Sequence, residues 1–253
     1  MSIKCALWMQ KQGVKSNDII VISSQSDREI FVPAIAALFI GAIFSPWDDE
    51  KDTGKFFRTM TYEIFNRFCA TKLYHRVTDM SRHYIKLLQP KVVFANKKSS
   101  PVVLEAAELE DHQIKVVAFE NCPGTIPFAD ILKGHSKGSV ANFQCTEINE
   151  NDHTAMIMFS SGTTGLPKGI TTTHRSLLAV VESWLGPPVH TCMWYSCLFW
   201  LSGPLFNMRN IIFHTKKIIP PPFEEESACR IIEKYKVLAS LFTFAYNRFL
   251  NRR

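Results

Sequence analysis

The densest chemistry in the sequence lies at residues 154–169, Thr-Ala-Met-Ile-Met-Phe-Ser-Ser-Gly-Thr-Thr-Gly-Leu-Pro-Lys-Gly. A short apolar run, 155–159, delivers the chain into a loop rich in hydroxyls and glycines. Ser160, Ser161, Thr163 and Thr164 place four hydroxyls beside backbone N–H groups, and Lys168 adds a positive charge. Gly162, Gly165 and Gly169 let the backbone turn and approach a ligand closely. Many short donors and one cation are what a polyphosphate requires. Composition alone also fits a solvated turn. The spacing is not that of a Walker loop, which needs Gly where Pro167 stands and Ser or Thr where Gly169 stands. Nor do the glycines follow the Gly-x-Gly-x-x-Gly of dinucleotide sites.

The elements that position this loop read as alternating strands and helices. Residues 19–23, a β-branched run after Asn17-Asp18, predict a buried strand. Residues 30–44 are apolar for 15 residues, short of the roughly 20 that span a bilayer. With Pro33 in a first turn and small Ala34, Ala36, Ala37, Gly41 and Ala42, they predict a buried core helix. A strand follows through Ile43-Phe44 into Ser45-Pro46. Strand, helix and strand make a βαβ unit and a parallel sheet. Helical order resumes at 80–88 and stops at Pro90; 91–95 and 115–120 predict strands, 100–109 and 128–132 helices. The expected fold class is therefore α/β, a mostly parallel sheet flanked by helices.

Composition bounds the function. At 46% hydrophobic and 21% charged in 253 residues, the chain is globular, neither low-complexity nor disordered. Seven scattered cysteines, with no Cys-x-x-Cys pair, argue against a disulfide scaffold or structural zinc and for a reducing, intracellular setting. The net charge of +6 is local: residues 51–98 carry eleven Lys or Arg against three Asp or Glu. No nucleic-acid signature accompanies them, so nucleic acid is not an expected partner. Residues 1–12 are not a signal peptide, and no membrane span is expected.

The string Ser-Ser-Gly-Thr-Thr-Gly-Leu-Pro-Lys-Gly resembles the signature of the adenylate-forming, AMP-binding enzymes: acyl-CoA synthetases, 4-coumarate–CoA ligases and insect luciferases. Residues 31–46 resemble an early helix–strand segment of that family. Thr173-His174-Arg175-Ser176-Leu177 resembles its helix start after the phosphate loop. Residues 231–237 and then 241–243 resemble the helix–strand before its acyl pocket. The similarity is greatest to insect luciferase-like acyl-CoA synthetases and covers most of the chain outside 53–78.

The resemblance implies activation of a small-molecule carboxylic acid as an acyl-adenylate, followed by transfer to coenzyme A. ATP would bind with Ser160, Ser161, Gly162, Thr163, Thr164, Gly165, Lys168 and Gly169 around its β- and γ-phosphates, and Mg²⁺ would bridge phosphate oxygens. Two weaker substrate-pocket candidates are His174, facing the substrate or capping a helix, and Trp200 in Phe199-Trp200-Leu201-Ser202-Gly203, a pocket wall or a core aromatic. Firefly-type luciferases are His-rich in that last motif and this chain is not, which argues against light emission.

The family's Tyr-Gly-x-Thr-Glu string, hinge and C-terminal domain with its catalytic lysine have no match. The expectation is thus a partial large N-terminal domain with the C-terminal domain and the coenzyme A site absent. The alternative function is a catalytically inactive fragment retaining only the phosphate loop. Localisation is cytoplasmic or peroxisomal, with no Ser-Lys-Leu ending to support the latter. The connection from the Ser45-Pro46 strand to the helix before Pro90 is roughly twice as long as in the family, residues 53–78 being the excess, and Gly54-Lys55 can be encoded with a splice donor. That segment is expected to be an insertion or a gene-model artefact.

Overall fold

The computed structural model describes residues 1–24, 29–47, 77–148, 152–160, 166–183, 190–195, 197–221, 224–237 and 239–241. The chain begins with helix α1 (Ser2–Lys11), whose Cys5 and Met9, four apart, face the core. Strand β1 (Ile19–Ser23), helix α2 (Phe31–Phe39) and strand β2 (Ile43–Trp47) form the βαβ unit expected from the sequence, with Pro33 in the first turn of α2. Helix α3 (Val77–Leu88) starts three residues before its predicted onset. Of the 53–78 segment only Val77 and Thr78, which open this helix, fall among the described residues. Strand β3 (Val92–Ala95), helix α4 (Ser99–Leu109) and strand β4 (Lys115–Ala118) follow at or within two residues of their predicted positions. After β5 (Ile126–Pro127), α5 (Phe128–Ile131) and α6 (Lys137–Ala141), strand β6 (Thr154–Ser160) returns to the sheet.

Among the described residues the main sheet runs β5-β4-β3-β1-β2-β6-β7, where β7 is Lys168–Thr173. Every neighbouring pair is parallel except β6–β7, which is antiparallel. The sequence places 168–169 in the loop and 173–177 at a helix start, and the structure adds the strand that joins them. Its Ile-Thr-Thr-Thr run is nonetheless β-branched, which suits a pleated edge.

Both faces of the sheet are covered, as a parallel sheet requires. Ile20 and Ile22 of β1 point to one face, where α1, α2 and α5 pack with Phe44, Phe94 and Met156. Val21 points to the other, where Tyr84, Ile85 and Leu88 of α3 meet Val103 and Ala106 of α4 and Val93 of β3. Pro46 cannot donate to a ladder. The buried Ser45 hydroxyl contributes a bond between β2 and β6, donating to Ile157 O at 2.9 Å.

Helix α7 (His174–Ser183) leads to a second, parallel sheet. Its order is β10-β8-β9, from β8 (Thr191–Trp194), β9 (Lys216–Ile218) and β10 (Ala239–Leu241), with α8 (Ser202–Ile212) and α9 (Glu225–Tyr235) as crossovers. The buried Arg209 of α8 donates to Val181 O of α7 at 2.7 Å and stacks 4.5 Å from the Phe213 ring centre, joining the two sheets' helices. No helix of the described residues is long and apolar enough to cross a membrane.

Phe44 is fully buried on β2 and meets Phe31 edge-on with ring centres 6.4 Å apart. Phe44→Ala is expected to cost about 3–5 kcal/mol, the range for emptying an aromatic core position. Leu109→Ala, at an exposed helix end, is expected to cost under about 0.5 kcal/mol. Urea unfolding of the two variants checks the contrast.

Candidate functional site

The hydroxyl-rich loop joins the two strands of the β6–β7 hairpin. Ala155, Met156, Ile157 and Met158 are buried, so the sheet anchors the hairpin firmly, and exposure begins at Phe159 and Ser160. Ser160 pairs with Lys168 and Phe159 with Gly169 across the ladder. The structure therefore brings Ser160, Lys168 and Gly169 together at the head of the hairpin, with Lys168 exposed. Ser161, Gly162, Thr163, Thr164 and Gly165 lie outside the described residues. Gly169 has a packing reason as well as a loop reason: a Cβ there would sit 3.1 Å from Ile157 Cγ2 and 3.8 Å from the Phe159 ring.

Because β6 lies in a parallel sheet, its C-terminal end opens on the same edge as the C-terminal ends of β1 to β4. That edge is where open α/β sheets bind ligands. Helix α3 backs the hairpin. Tyr84 stacks on Phe159 with ring centres 4.2 Å apart and on Trp47 at 5.1 Å. His83, the neighbouring residue, places Nε2 2.9 Å from Pro167 O. His83 is not among the residues that the sequence singles out. No local pattern marks it, and its partner is 84 residues away.

His174 does not join Lys168. It opens α7 just past the far end of β7, six residues on from Lys168, roughly 20 Å along the strand. Nor is it the cap, because Thr173 Oγ1 accepts the Ser176 N–H at 3.1 Å. Its ring lies 5.5 Å from the ring of buried His153, and its own N–H donates to His153 O at 3.0 Å. His153 Nε2 in turn donates to Gly41 O at 2.8 Å. The His174 Nε2 atom is buried with no hydrogen-bond partner among the described residues. Burial first, and His153 second, hold the His174 pKa below its ordinary value.

Trp200 is half-buried in the turn between β8 and α8. Its N–H donates to Cys197 O at 3.2 Å, and its carbonyl accepts the Gly203 N–H at 2.7 Å. A Cβ on Gly203 would overlap the Cys197 carbonyl, so this turn demands glycine. In the adjacent sheet Lys217 Nζ donates to Asn207 Oδ1 at 3.1 Å and lies 4.8 Å from the Trp194 ring centre. Burial lowers its pKa to about 8. Among the described residues no three His, Cys, Asp or Glu side chains are grouped to hold a metal ion.

The chain belongs to the AMP-binding enzyme family, whose model matches residues 1–251. A luciferin 4-monooxygenase of Photuris pensylvanica is 25% identical over 184 residues, 71% of this chain and 29% of that protein. The 4-coumarate–CoA ligase 2 of Oryza sativa subsp. japonica is 27% identical over 185 residues, 70% and 28% of the two chains. The luciferase-like enzyme from the nonluminescent mealworm Zophobas morio shares the fold at a TM-score of 0.77 and 23% identity, over 94% of this chain and 50% of that one. The chain spans half or less of the length of these relatives.

The depressed His174 pKa has a stability consequence. Above the unfolded value near 6.5 both states are neutral and the contribution is complete; as pH falls below it, the unfolded chain takes up a proton that folded His174 resists. Stability is expected to fall from pH 7.5 to 5.5, and less steeply in His174→Gln. Thermal denaturation at the two pH values reads the difference. Gly203→Ala is expected to lower the melting temperature at either pH, because the new Cβ meets a backbone carbonyl rather than a flexible side chain.

Proposed function

We propose that this chain carries the polyphosphate-binding part of an enzyme that activates a carboxylic acid as its acyl-adenylate, and that the complete protein then transfers the acyl group to coenzyme A. The observation that carries the reading is the exposed Lys168, paired with Ser160 at the head of a hairpin on the ligand-binding edge of a parallel sheet. Membership of the AMP-binding family and the likeness to a 4-coumarate–CoA ligase support the same chemistry.

Adenylation brings two anions together, a carboxylate and the triphosphate of ATP. The carboxylate oxygen attacks the α-phosphorus, and pyrophosphate leaves as the P–O bond to the β-phosphate breaks. Repulsion must be offset and the attack held in line. Lys168 supplies fixed positive charge to the β- and γ-phosphates, and the hydroxyls of Ser160, Ser161, Thr163 and Thr164 supply hydrogen bonds. Gly162, Gly165 and Gly169 let the backbone close on the phosphates. Lys168 acts as a charge and not as a nucleophile. The described residues fit a polyphosphate but offer no carboxylate set for Mg²⁺, which would ride on the phosphate oxygens and neutralise part of their charge. Trp200 remains a candidate wall of the acid's pocket. His174, a strand's length from Lys168, fits a structural tie better.

Lys168→Ala is expected to weaken pyrophosphate binding about 10- to 150-fold, the loss of a hydrogen bond to a charged group. Calorimetry with wild type and variant checks it, and equal affinities would defeat the reading. Pyrophosphate exchange into ATP, dependent on added acid, distinguishes an adenylating chain from the alternative, a fragment that binds phosphate without turnover. Acyl-CoA formed on adding coenzyme A, read by mass spectrometry of the reaction mixture, tests the second half-reaction.

A further inference from the structure

Building on the hairpin as a phosphate cradle, we infer that His83 is a positioning residue that fixes the Pro167–Lys168 peptide and, through it, the direction of the Lys168 side chain. His83 Nε2 lies 2.9 Å from Pro167 O in a partly buried contact. A carbonyl only accepts, so Nε2 carries the proton and donates. Strand pairing of β7 begins at Lys168, one residue after that carbonyl. The contact therefore holds the peptide unit that the β6–β7 ladder leaves to other partners.

The helix that offers His83 is itself held. Arg82 Nε lies 2.7 Å from Glu110 Oε1, and Thr78 Oγ1 donates to Glu105 Oε2 at 3.2 Å. Tyr84, Ile85 and Leu88 are buried in the core cluster shared with α4. Consecutive residues of α3 thus grip both arms of the hairpin. Tyr84 lies against Phe159 on the outgoing arm, and His83 holds Pro167 on the returning one. Lys168 has four rotatable side-chain bonds, and fixing its backbone is the part of its placement that the fold can supply in advance.

The test uses the full chain and Mg²⁺-pyrophosphate as probe, with calorimetry and backbone amide exchange as readouts. His83→Leu removes the donor, and His83→Ala is a second donor-less variant should the leucine fail to fold. His83→Gln keeps an N–H at similar reach. His112→Leu is the matched control, because His112 Nε2 lies 3.0 Å from Pro90 O, the same chemistry away from the hairpin. Exchange at the amides of residues 168–170 is expected to quicken in His83→Leu and return towards wild type in His83→Gln. Pyrophosphate affinity is expected to fall about 2- to 10-fold in His83→Leu, with Gln within about twofold of wild type. His112→Leu is expected to match wild type in both readouts. Unchanged exchange at 168–170 in His83→Leu overturns the proposal whatever pyrophosphate does. Wild-type affinity in His83→Leu also overturns it, while a weakened Lys168→Ala leaves the phosphate reading standing. A Lys168→Ala chain that binds as wild type would instead defeat that reading, and the exchange data would then decide on His83 alone.

Discussion

The structure depends on one antiparallel pairing at the margin of a parallel sheet. Parallel neighbours require crossovers of a dozen or more residues, which carry the chain to the opposite edge before it returns. Between Ser160 and Lys168 only seven residues intervene, so the chain must fold straight back on β6. That return leaves Lys168 level with Ser160 at the carboxyl edge. A crossover helix would have sent the same lysine to the other side of the molecule. The buried stretch of β6 gives the hairpin its rigid root.

What surrounds that root is built to resist displacement. Trp47, Tyr84 and Phe159 form a continuous aromatic stack from β2 through α3 to β6. Ser45 adds a buried hydrogen bond where Pro46 interrupts the donors of β2. Gly169 leaves the space across the strand in which Ile157 and Phe159 pack. At the other end of β6 the Gly41 carbonyl accepts from Asn17 N–H at 2.9 Å, Ser16 Oγ at 3.3 Å and His153 Nε2 at 2.8 Å. Gly41 has φ +67°, a conformation that favours glycine, and a Cβ there would lie 2.9 Å from Ser16 Oγ. This knot fixes where β6 starts and where α7 begins, so both ends of the strand are set by contacts from distant parts of the chain.

The face that β7 presents to solvent is the least protected part of the sheet. Ile170 is 53% exposed on an edge strand, with Leu166 and Leu178 also exposed on β7's flanks. An edge of β-branched residues is a template for pairing with another chain unless something covers it.

The sequence by itself determined the parts whose cause is local. Apolar runs gave β1, β3, β4 and β6, the small-residue stretch with Pro33 gave α2, and the Ser-Ser-Gly-Thr-Thr-Gly-Leu-Pro-Lys-Gly string identified the family. Helix α1 and strand β7 were also written locally, in the Cys5–Met9 spacing and the Ile-Thr-Thr-Thr run, but each signal is short and weaker than those beside it. Tertiary structure alone decided the order of the strands, and with it which residues meet. His174 is close to the loop in sequence yet stands a strand's length from Lys168. His83 is 84 residues from Pro167 yet touches it. Periodicity reports which face of an element is buried, whereas such meetings depend on which elements are neighbours, and no single segment encodes that.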